Sequence, residues 1–215
     1  MWINIFFSVT FILGLLYLIR YRLNLKYSAE KAANALFPTS EEEMNQILIP
    51  SEFMEMQPLT KGTRSYKLVK WGTVGVICLF AVLMMVVFWT DMLHQSIFSI
   101  VYLFFFLISS IKHRGNFYIV AGGLILNGYY FAWDRVKGYE LEKIIKWHEL
   151  YGLDDKINHG YKLAVKVDNK WFQPQFVVVR DQVHLDRILS LLNIHGVKKV
   201  GENSETPVSS YTGVE

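Results

Sequence analysis

The chain has little cysteine and little charge. Its 215 residues include one cysteine, Cys78, and charged residues make up 19% of the sequence. A single cysteine excludes an internal disulfide and a zinc site built from cysteines. Basic and acidic residues nearly balance, 22 against 19, and this balance excludes a dedicated nucleic-acid-binding protein. Hydrophobic residues make up 52% of the chain, which excludes global disorder and indicates a surface that faces something other than water.

Charge is absent from three long apolar runs, which predict three transmembrane helices. The runs are residues 2–19, 71–90 and 96–111, and a hydrocarbon core of about 30 Å needs about 20 such residues in a helix. A cleaved signal peptide is the alternative for the first run. No basic residue precedes that run, however, and Arg20 and Arg22 follow it, which favours an uncleaved anchor. The second and third runs lie so close together that they predict an antiparallel helical hairpin.

Basic residues beside these runs predict the orientation of the chain. Lys and Arg border the cytosolic side of membrane spans; here they follow the first run, precede the second and follow the third, and the turn 91–95 carries none. The prediction is a multi-pass protein of the cell membrane, with its N-terminus outside and everything from residue 112 in the cytoplasm. The candidate membrane-interface residues are Arg20, Arg22, Lys26, Lys70, Lys112 and Arg114. Fixing the topology is favoured for them over binding a particular lipid.

The segment 21–70 is predicted to be a cytosolic helical loop. The first helix should continue as far as Pro38, and Ser40 with Glu43 fits a capping box for another short helix. The apolar face of that short helix would hold Met44, Ile47 and Leu48. Packing of this face as a lid on the rest of the protein is favoured, and an interfacial helix that senses lipid or a partner is the alternative.

From residue 116 the apolar positions follow a period of two, which predicts β-strands. The predicted strands are 117–120, 124–126, 129–133, 137–147, 161–167 and 171–180. Asn127-Gly128 predicts a tight hairpin turn, and Asp181 is the predicted N-cap of a final helix that Gly196 ends. The apolar side of that helix is predicted to hold Val183, Ile188, Leu191 and Leu192.

The predicted fold class is therefore an α plus β membrane protein, with three transmembrane helices followed by a cytosolic antiparallel β-sandwich or barrel that a C-terminal helix caps. Its predicted parts are the first transmembrane helix at 1–20, the helical loop at 21–70, the transmembrane hairpin at 71–111, the β domain at 112–197 and a disordered tail at 198–215.

One stretch of the β domain resembles a known family. The stretch is 123–128 (GLILNG), followed by 131–136 (FAWDRV) and Tyr139-Glu140. It is similar to bacterial pleckstrin-homology-like domains attached to membrane hairpins, and the likeness covers about 116–194. The resemblance implies a pleckstrin-homology-like fold for the β domain, and it implies no particular activity because this fold serves many unrelated roles.

Motifs that carry chemistry are missing from the sequence. It contains no Gly-x-Ser-x-Gly, P-loop, Gly-x-Gly-x-x-Gly or His-Glu-x-x-His, and none of its six histidines are spaced i, i+4. The predicted spans contain no ionisable residue of the kind that marks transport pathways. The sequence therefore predicts no catalytic residue, metal ligand or cofactor, and a protein that is neither an enzyme nor a transporter.

The aromatic residues of the β domain are the remaining indication of function. The candidate binding surface consists of Trp133, Tyr139, Trp147 and Trp171. Core and rim packing is the favoured explanation for most aromatic residues here, and contact with lipid headgroups is the alternative.

Two functional hypotheses follow. The first is a non-enzymatic membrane protein whose β domain binds a cytosolic or membrane protein, for example by strand addition, or a lipid headgroup. The second is a bacteriocin-immunity or envelope-stress protein that acts through its spans, since membrane-tethered domains that resemble this one include a bacteriocin immunity protein. The expected partners are membrane lipids and a protein, with no nucleic acid.

Overall fold

A computed structural model gives the fold, and it describes residues 2–50, 53–89, 102–103, 105–107, 109, 115–168 and 176–200. Its helices are α1 (Trp2–Ala32), α2 (Glu41–Asn45), α3 (Arg64–Trp89) and α4 (Gln182–Ile194). Its strands are β1 (Ala35–Phe37), β2 (Ile47–Ile49), β3 (Met54–Glu55), β4 (Phe117–Val120), β5 (Gly123–Leu126), β6 (Tyr129–Ala132), β7 (Val136–Lys143), β8 (Tyr161–Val167) and β9 (Phe176–Val179). The predicted α plus β class with antiparallel sheets is confirmed.

The strands form two sheets. The first has the order β1-β4-β5-β6 and the second has the order β3-β2-β9-β8-β7, with antiparallel pairing throughout. A 3-10 turn, Trp133–Arg135, leads from β6 in the first sheet to β7 in the second. The two sheets, α1, α3 and α4 contribute to one buried apolar core.

The segment 21–70 is not wholly helical. α2 has the predicted start, because the Ser40 hydroxyl accepts a hydrogen bond from the Glu43 amide. The helix ends at Asn45, however, and the prediction that Ile47 and Leu48 belong to it is wrong, since both lie in β2. α1 also stops at Ala32, before the predicted end at Pro38, and β1 takes its place.

β1 and β2 pair with strands from the C-terminal half of the chain, and β3 pairs with β2. Ala35 in β1 lies opposite Val120 in β4, and Ile47 in β2 lies opposite Val179 in β9. The backbone groups of β1 and β2 are therefore satisfied by distant strands rather than by a local helix. The loop and the β domain form one structural unit.

Local signals in the C-terminal half are largely confirmed. Asn127 and Gly128 both have positive φ, 52° and 80°, as a tight hairpin turn requires. Asp181 caps α4 by accepting from the Val183 amide, and Gly196 follows the helix with φ 77°. The prediction that Val183 lies on the apolar face is wrong: its side chain is 71% exposed.

The apolar face of α4 holds Leu185, Ile188 and Leu192, which are all buried. These positions are three and four residues apart, and a helix turns about 100° per residue. Val183 is therefore carried to the opposite side. Of the last predicted strand, 171–180, Phe176–Val179 is β9 and 171–175 lie outside the described residues.

The predicted disorder of the tail is wrong at its start. The Tyr139 amide in β7 donates to the Lys198 carbonyl at 3.1 Å, and the Val200 amide donates to the Tyr139 carbonyl at 2.8 Å. Gly138 permits this close approach, because a Cβ there would lie 2.7 Å from Val200 Cγ2. Residues 198–200 thus follow the outer edge of β7, and 201–215 lie outside the described residues.

α1 and α3 pack against each other in antiparallel fashion. Phe11 meets Phe80 edge to face with 4.4 Å between ring centroids, and at the other end Lys61 pairs with Glu30 at 2.9 Å. Within the described residues, one helical stretch, Arg64–Val82, is long and apolar enough to cross a membrane, and 33% of it is buried inside the protein. Of the predicted third span, residues 102–103, 105–107 and 109 are described, and they are helical.

A buried carboxylate joins α2 to α4. Glu43 accepts hydrogen bonds from the Thr39 amide at 2.6 Å and the Thr39 hydroxyl at 3.1 Å, and it pairs with Arg187 of α4. The Arg187 guanidinium also lies over the Phe37 ring, 5.5 Å from its centroid. Burial acts to raise the pKa of Glu43, but the hydrogen bonds from Thr39, the charge of Arg187 and a backbone hydrogen bond from Ser40 outweigh it and hold that pKa below its usual value.

Candidate functional site

α1 is docked directly onto the first sheet. The buried Ser28 hydroxyl donates to the Gly128 carbonyl at 2.9 Å. The Leu25 side chain is buried beside the same turn, where a Cβ on Gly128 would lie 3.1 Å from Leu25 Cδ1. The β5–β6 hairpin therefore sits against the helix whose first part is the apolar run 2–19.

A groove of about 410 Å³ opens between α1 and β6. We call it the tyrosine–arginine groove. It is lined by Tyr17, Arg20, Tyr21, Tyr27, Tyr129, Tyr130 and Arg135, together with Asn24 and Phe131. No aspartate or glutamate stands among these lining residues.

The tyrosines of the groove pack in pairs across the helix–sheet boundary. Tyr17 and Tyr21 stack with 6.3 Å between ring centroids, and Tyr21 meets Tyr129 at 5.9 Å. Further along α1, Tyr27 meets Tyr130 edge to face at 5.4 Å. The Lys31 ammonium lies 5.5 Å and 5.6 Å from the centroids of this second pair, which adds a cation to the rim of the groove.

The Tyr129 hydroxyl stays neutral in this setting. Its burial raises its pKa well above the usual value, and the neighbouring hydroxyls of Tyr17 and Tyr21 raise it further against the opposing effect of Arg20. A neutral phenol can donate a hydrogen bond. That hydroxyl is hydrogen-bonded to Tyr17, so it joins β6 to α1 beside the cationic groups of the groove.

The two arginines of the groove have no carboxylate partner within the described part of the chain. Every ion pair there involves other residues. By contrast, Arg180 lies 3.7 Å from Glu55, and Arg187 is paired with Glu43. Arg20 and Arg135 thus leave a net positive charge in the groove.

Of the four predicted membrane-interface residues that the structure describes, one, Arg20, lines this groove. Arg22 is half-buried, and Lys26 is exposed. Lys70 is exposed at the side of α3, with its ammonium 5.6 Å from the Trp71 ring centroid. Lys112 and Arg114 lie outside the described residues.

The three described aromatic residues of the predicted binding surface are not brought together. Trp133 is half-buried, donates from Nε1 to the Ala121 carbonyl at 3.0 Å and stacks on His195. Tyr139 is buried in the core. Trp147 is 89% exposed, and Trp171 lies outside the described residues.

Trp147 stands at the tip of the β7–β8 loop. Two more apolar side chains of this loop are exposed, Ile145 at 49% and Leu153 at 62%. We call these three residues the apolar tip. All three are large apolar side chains exposed on one loop.

The base of the same loop is held in place by polar contacts. His148 Nδ1 accepts from the Leu150 amide at 3.0 Å, and His148 Nε2 lies 2.9 Å from Glu142. Lys162 bridges Glu142 and Glu149 at 3.1 Å and 2.8 Å. The hydrogen bonds from His148 and then Lys162 lower the pKa of Glu142. The apolar tip is thus presented by a structured loop.

A larger cavity of about 740 Å³ lies between the end of α1 and the segment 58–61. Alanines, prolines and Tyr118 line much of it, and the two charged groups at its wall, Glu30 and Lys61, are paired with each other. The Tyr118 hydroxyl accepts from the Leu59 amide at 2.8 Å. The cavity therefore lacks a free charge that would select a ligand.

Sequence reasoning identified Arg20 but missed the tyrosines beside it. A usable signal exists in α1: Tyr17, Tyr21, Asn24 and Ser28 follow the spacing i, i+4, i+7, i+11, which places them on one helix face. This polar and aromatic face begins inside the uncharged run and continues past its end. Such a face indicates that the helix packs against another element at the level where the apolar run stops.

The described residues contain no group of three or more His, Cys, Asp or Glu placed to hold a metal ion. No protein-family model, curated protein or solved structure matches the chain. The site is therefore interpreted from its own geometry.

Proposed function

We propose that this chain is a non-enzymatic integral membrane protein that presents its β domain, on the cytoplasmic face of the cell membrane, as a binding module for a protein. The β domain in this proposal has a pleckstrin-homology-like fold, and the three apolar runs are its membrane spans. The observation that carries the proposal is Trp147, 89% exposed on a loop with a fixed base.

Exposure along α1 and α3 supports the membrane placement. Phe11, Leu18, Val76 and Phe80 are buried between the helices and their neighbours. The outward side chains of the same turns are also apolar: Ile12, Leu13 and Leu16 on α1, and Leu79, Val82 and Met85 on α3. A helix that is apolar all round belongs in a core or in a bilayer, and these outward residues have no protein covering them in the described structure.

The apolar tip supports the binding function. Tryptophan is one of the residue types enriched among the energetically dominant contacts of protein interfaces. The same loop carries exposed charges of both signs, Lys146 and Lys156 beside Glu149 and Asp155, so the partner surface should be apolar at its centre with a polar rim of mixed charge. The docking of α1 on the β5–β6 hairpin fixes the position of the domain relative to that helix.

Crosslinking in native membranes tests the proposal with two matched point variants of the full chain. Trp147→Ala truncates the most exposed side chain of the apolar tip, whereas Val183→Ala truncates another exposed apolar side chain, on α4. We expect a specific crosslinked partner with the wild type and with Val183→Ala, and at least about tenfold less of it with Trp147→Ala. All three proteins should remain in the membrane pellet after carbonate extraction.

A different experimental result would contradict each part of the proposal. Equal capture by all three proteins would contradict binding through the apolar tip. Release of the chain by carbonate would contradict membrane integration. A full biological activity in a variant that lacks the tip, such as protection against a bacteriocin, would favour the hypothesis that the protein acts through its spans.

A further inference from the structure

We propose that the tyrosine–arginine groove binds the phosphate of an anionic phospholipid headgroup. This inference shares the membrane placement of the proposed function but does not depend on protein binding by the apolar tip. It concerns a different part of the domain from the β7–β8 loop, namely the face where β6 meets α1.

The charge of the groove calls for an anion. Arg20 and Arg135 line it, Lys31 lies at its rim, and no acidic side chain is among the lining residues. Neither arginine is paired with a carboxylate in the described part of the chain. A guanidinium presents several N–H donors in a fixed plane that matches two oxygens of a phosphate, so two guanidinium groups facing one groove are suited to a phosphate.

The position of the groove selects a lipid as the source of that phosphate. Tyr17 belongs to the uncharged run 2–19, and Arg20 is the first charged residue after it. Along a helix, Tyr17 and Tyr27 are separated by about 15 Å. The groove therefore begins in the apolar segment and extends through the depth of a headgroup layer, and tyrosine is enriched at this level of membrane proteins.

The surface beside the groove suits the rest of a lipid molecule. Leu13 and Leu16 are exposed on α1, one turn below Tyr17 and Arg20. A lipid whose phosphate is held by Arg20 can lay an acyl chain along these side chains. A free phosphate ion or a phosphorylated peptide would gain nothing from this apolar surface.

Lipid retention by the purified full chain tests the inference. The protein is equilibrated in detergent with phosphatidylglycerol or phosphatidylcholine, and retained lipid is counted by native mass spectrometry. The variants are Arg20→Gln, Arg135→Gln and the matched control Arg22→Gln, which removes the same charge from the same helix outside the groove. We expect wild-type preference for phosphatidylglycerol, about tenfold weaker retention for each groove variant, and less than twofold loss for the control.

Further arms identify the source of the anion. Inorganic phosphate and a phosphotyrosine peptide, each in excess, should not displace phosphatidylglycerol from the wild type. Displacement by either would overturn the lipid assignment in favour of that ligand. Equal loss with Arg22→Gln, or no loss with either groove variant, would overturn the site itself.

A measurement on the wild type avoids dependence on variant folding. Phosphatidylglycerol with a photoreactive headgroup should label peptides that contain Tyr129 or Arg135, and phosphatidylcholine with the same group should label them at least about fivefold less. Uniform labelling of all interfacial peptides would contradict the inference. Trp147→Ala should leave lipid retention unchanged. Failure of protein capture by the apolar tip can therefore be distinguished from failure of lipid binding in the groove.

Discussion

Neutralising Glu43 should loosen α4 from the rest of the β domain. The Glu43 side chain is 10% exposed and accepts two hydrogen bonds from Thr39 in addition to its pairing with Arg187. Glu43→Gln keeps the shape but turns charge-assisted hydrogen bonds into neutral ones, which are roughly half as strong. The Arg187 side chain is 48% exposed, so solvent screens part of the ion pair, and we expect a net loss of about 2 kcal/mol.

Hydrogen exchange measures this loss where it should occur. The α4 amides of Glu43→Gln should exchange up to about 30-fold faster than those of the wild type at pH 7, which corresponds to about 2 kcal/mol. Glu41→Gln and Glu42→Gln are matched controls, because both side chains are exposed on the same short helix. Exchange that changes less than threefold, or equally in the controls, would refute the reasoning.

The same carboxylate should make the domain sensitive to acid. Because the folded protein lowers the pKa of Glu43 from its usual 4.5, the stabilisation is complete above that value and is lost as the pH falls through the lower, folded-state pKa. Thermal unfolding of the wild type between pH 6 and pH 3 should therefore show a steeper loss of stability than that of Glu43→Gln. Parallel pH profiles would show that Glu43 contributes nothing to acid sensitivity.

Three further predictions concern backbone positions and a helix cap. Gly115→Ala places a Cβ 2.3 Å from Ile49 Cγ2, so we expect a loss of about 1 to 3 kcal/mol in thermal unfolding, and an unchanged midpoint would contradict this. Asp181→Ala removes the N-cap of α4 and should cost about 1 kcal/mol, with faster exchange confined to the first turn; uniform change along the helix would argue against a capping role. Gly138→Val should displace the strand-like segment that includes Val200 and expose its amides to exchange, whereas retained protection at Val200 would refute the close packing.

The sequence predicted most C-terminal strands closely because their signals are local, but β7 ends at Lys143, four residues before its predicted end at 147. β8 coincides with its predicted bounds, 161–167, since seven residues of strict alternation leave little ambiguity. The Asn127-Gly128 turn and the Asp181 cap are equally local. β1 and β2 are different: a three-residue strand has no measurable period, and its stability comes from partners such as Val120 and Val179, which lie far away in the sequence.

The groove could be predicted only in part for the same reason. The end of an apolar run identifies Arg20, and helix spacing aligns Tyr17 with Tyr21. Nothing local, however, indicates that Arg135 would stand across from them, because it follows a strand of the other half of the chain. That placement depends on the docking of the β5–β6 hairpin against α1.

The continuity of α1 has a mechanical consequence. A helix of 31 residues is about 46 Å long. Near its C-terminal end, Ser28 is hydrogen-bonded to the first sheet. On the proposed membrane placement, the N-terminal part of α1 lies in the bilayer and its C-terminal end carries the β domain. Membrane-spanning helices change their tilt with the thickness of the bilayer. A change of about 10° in the tilt of α1 about its N-terminal end moves its C-terminal end by about 8 Å. Because this movement runs mainly parallel to the membrane plane, the local thickness of the membrane would set the lateral position of the apolar tip.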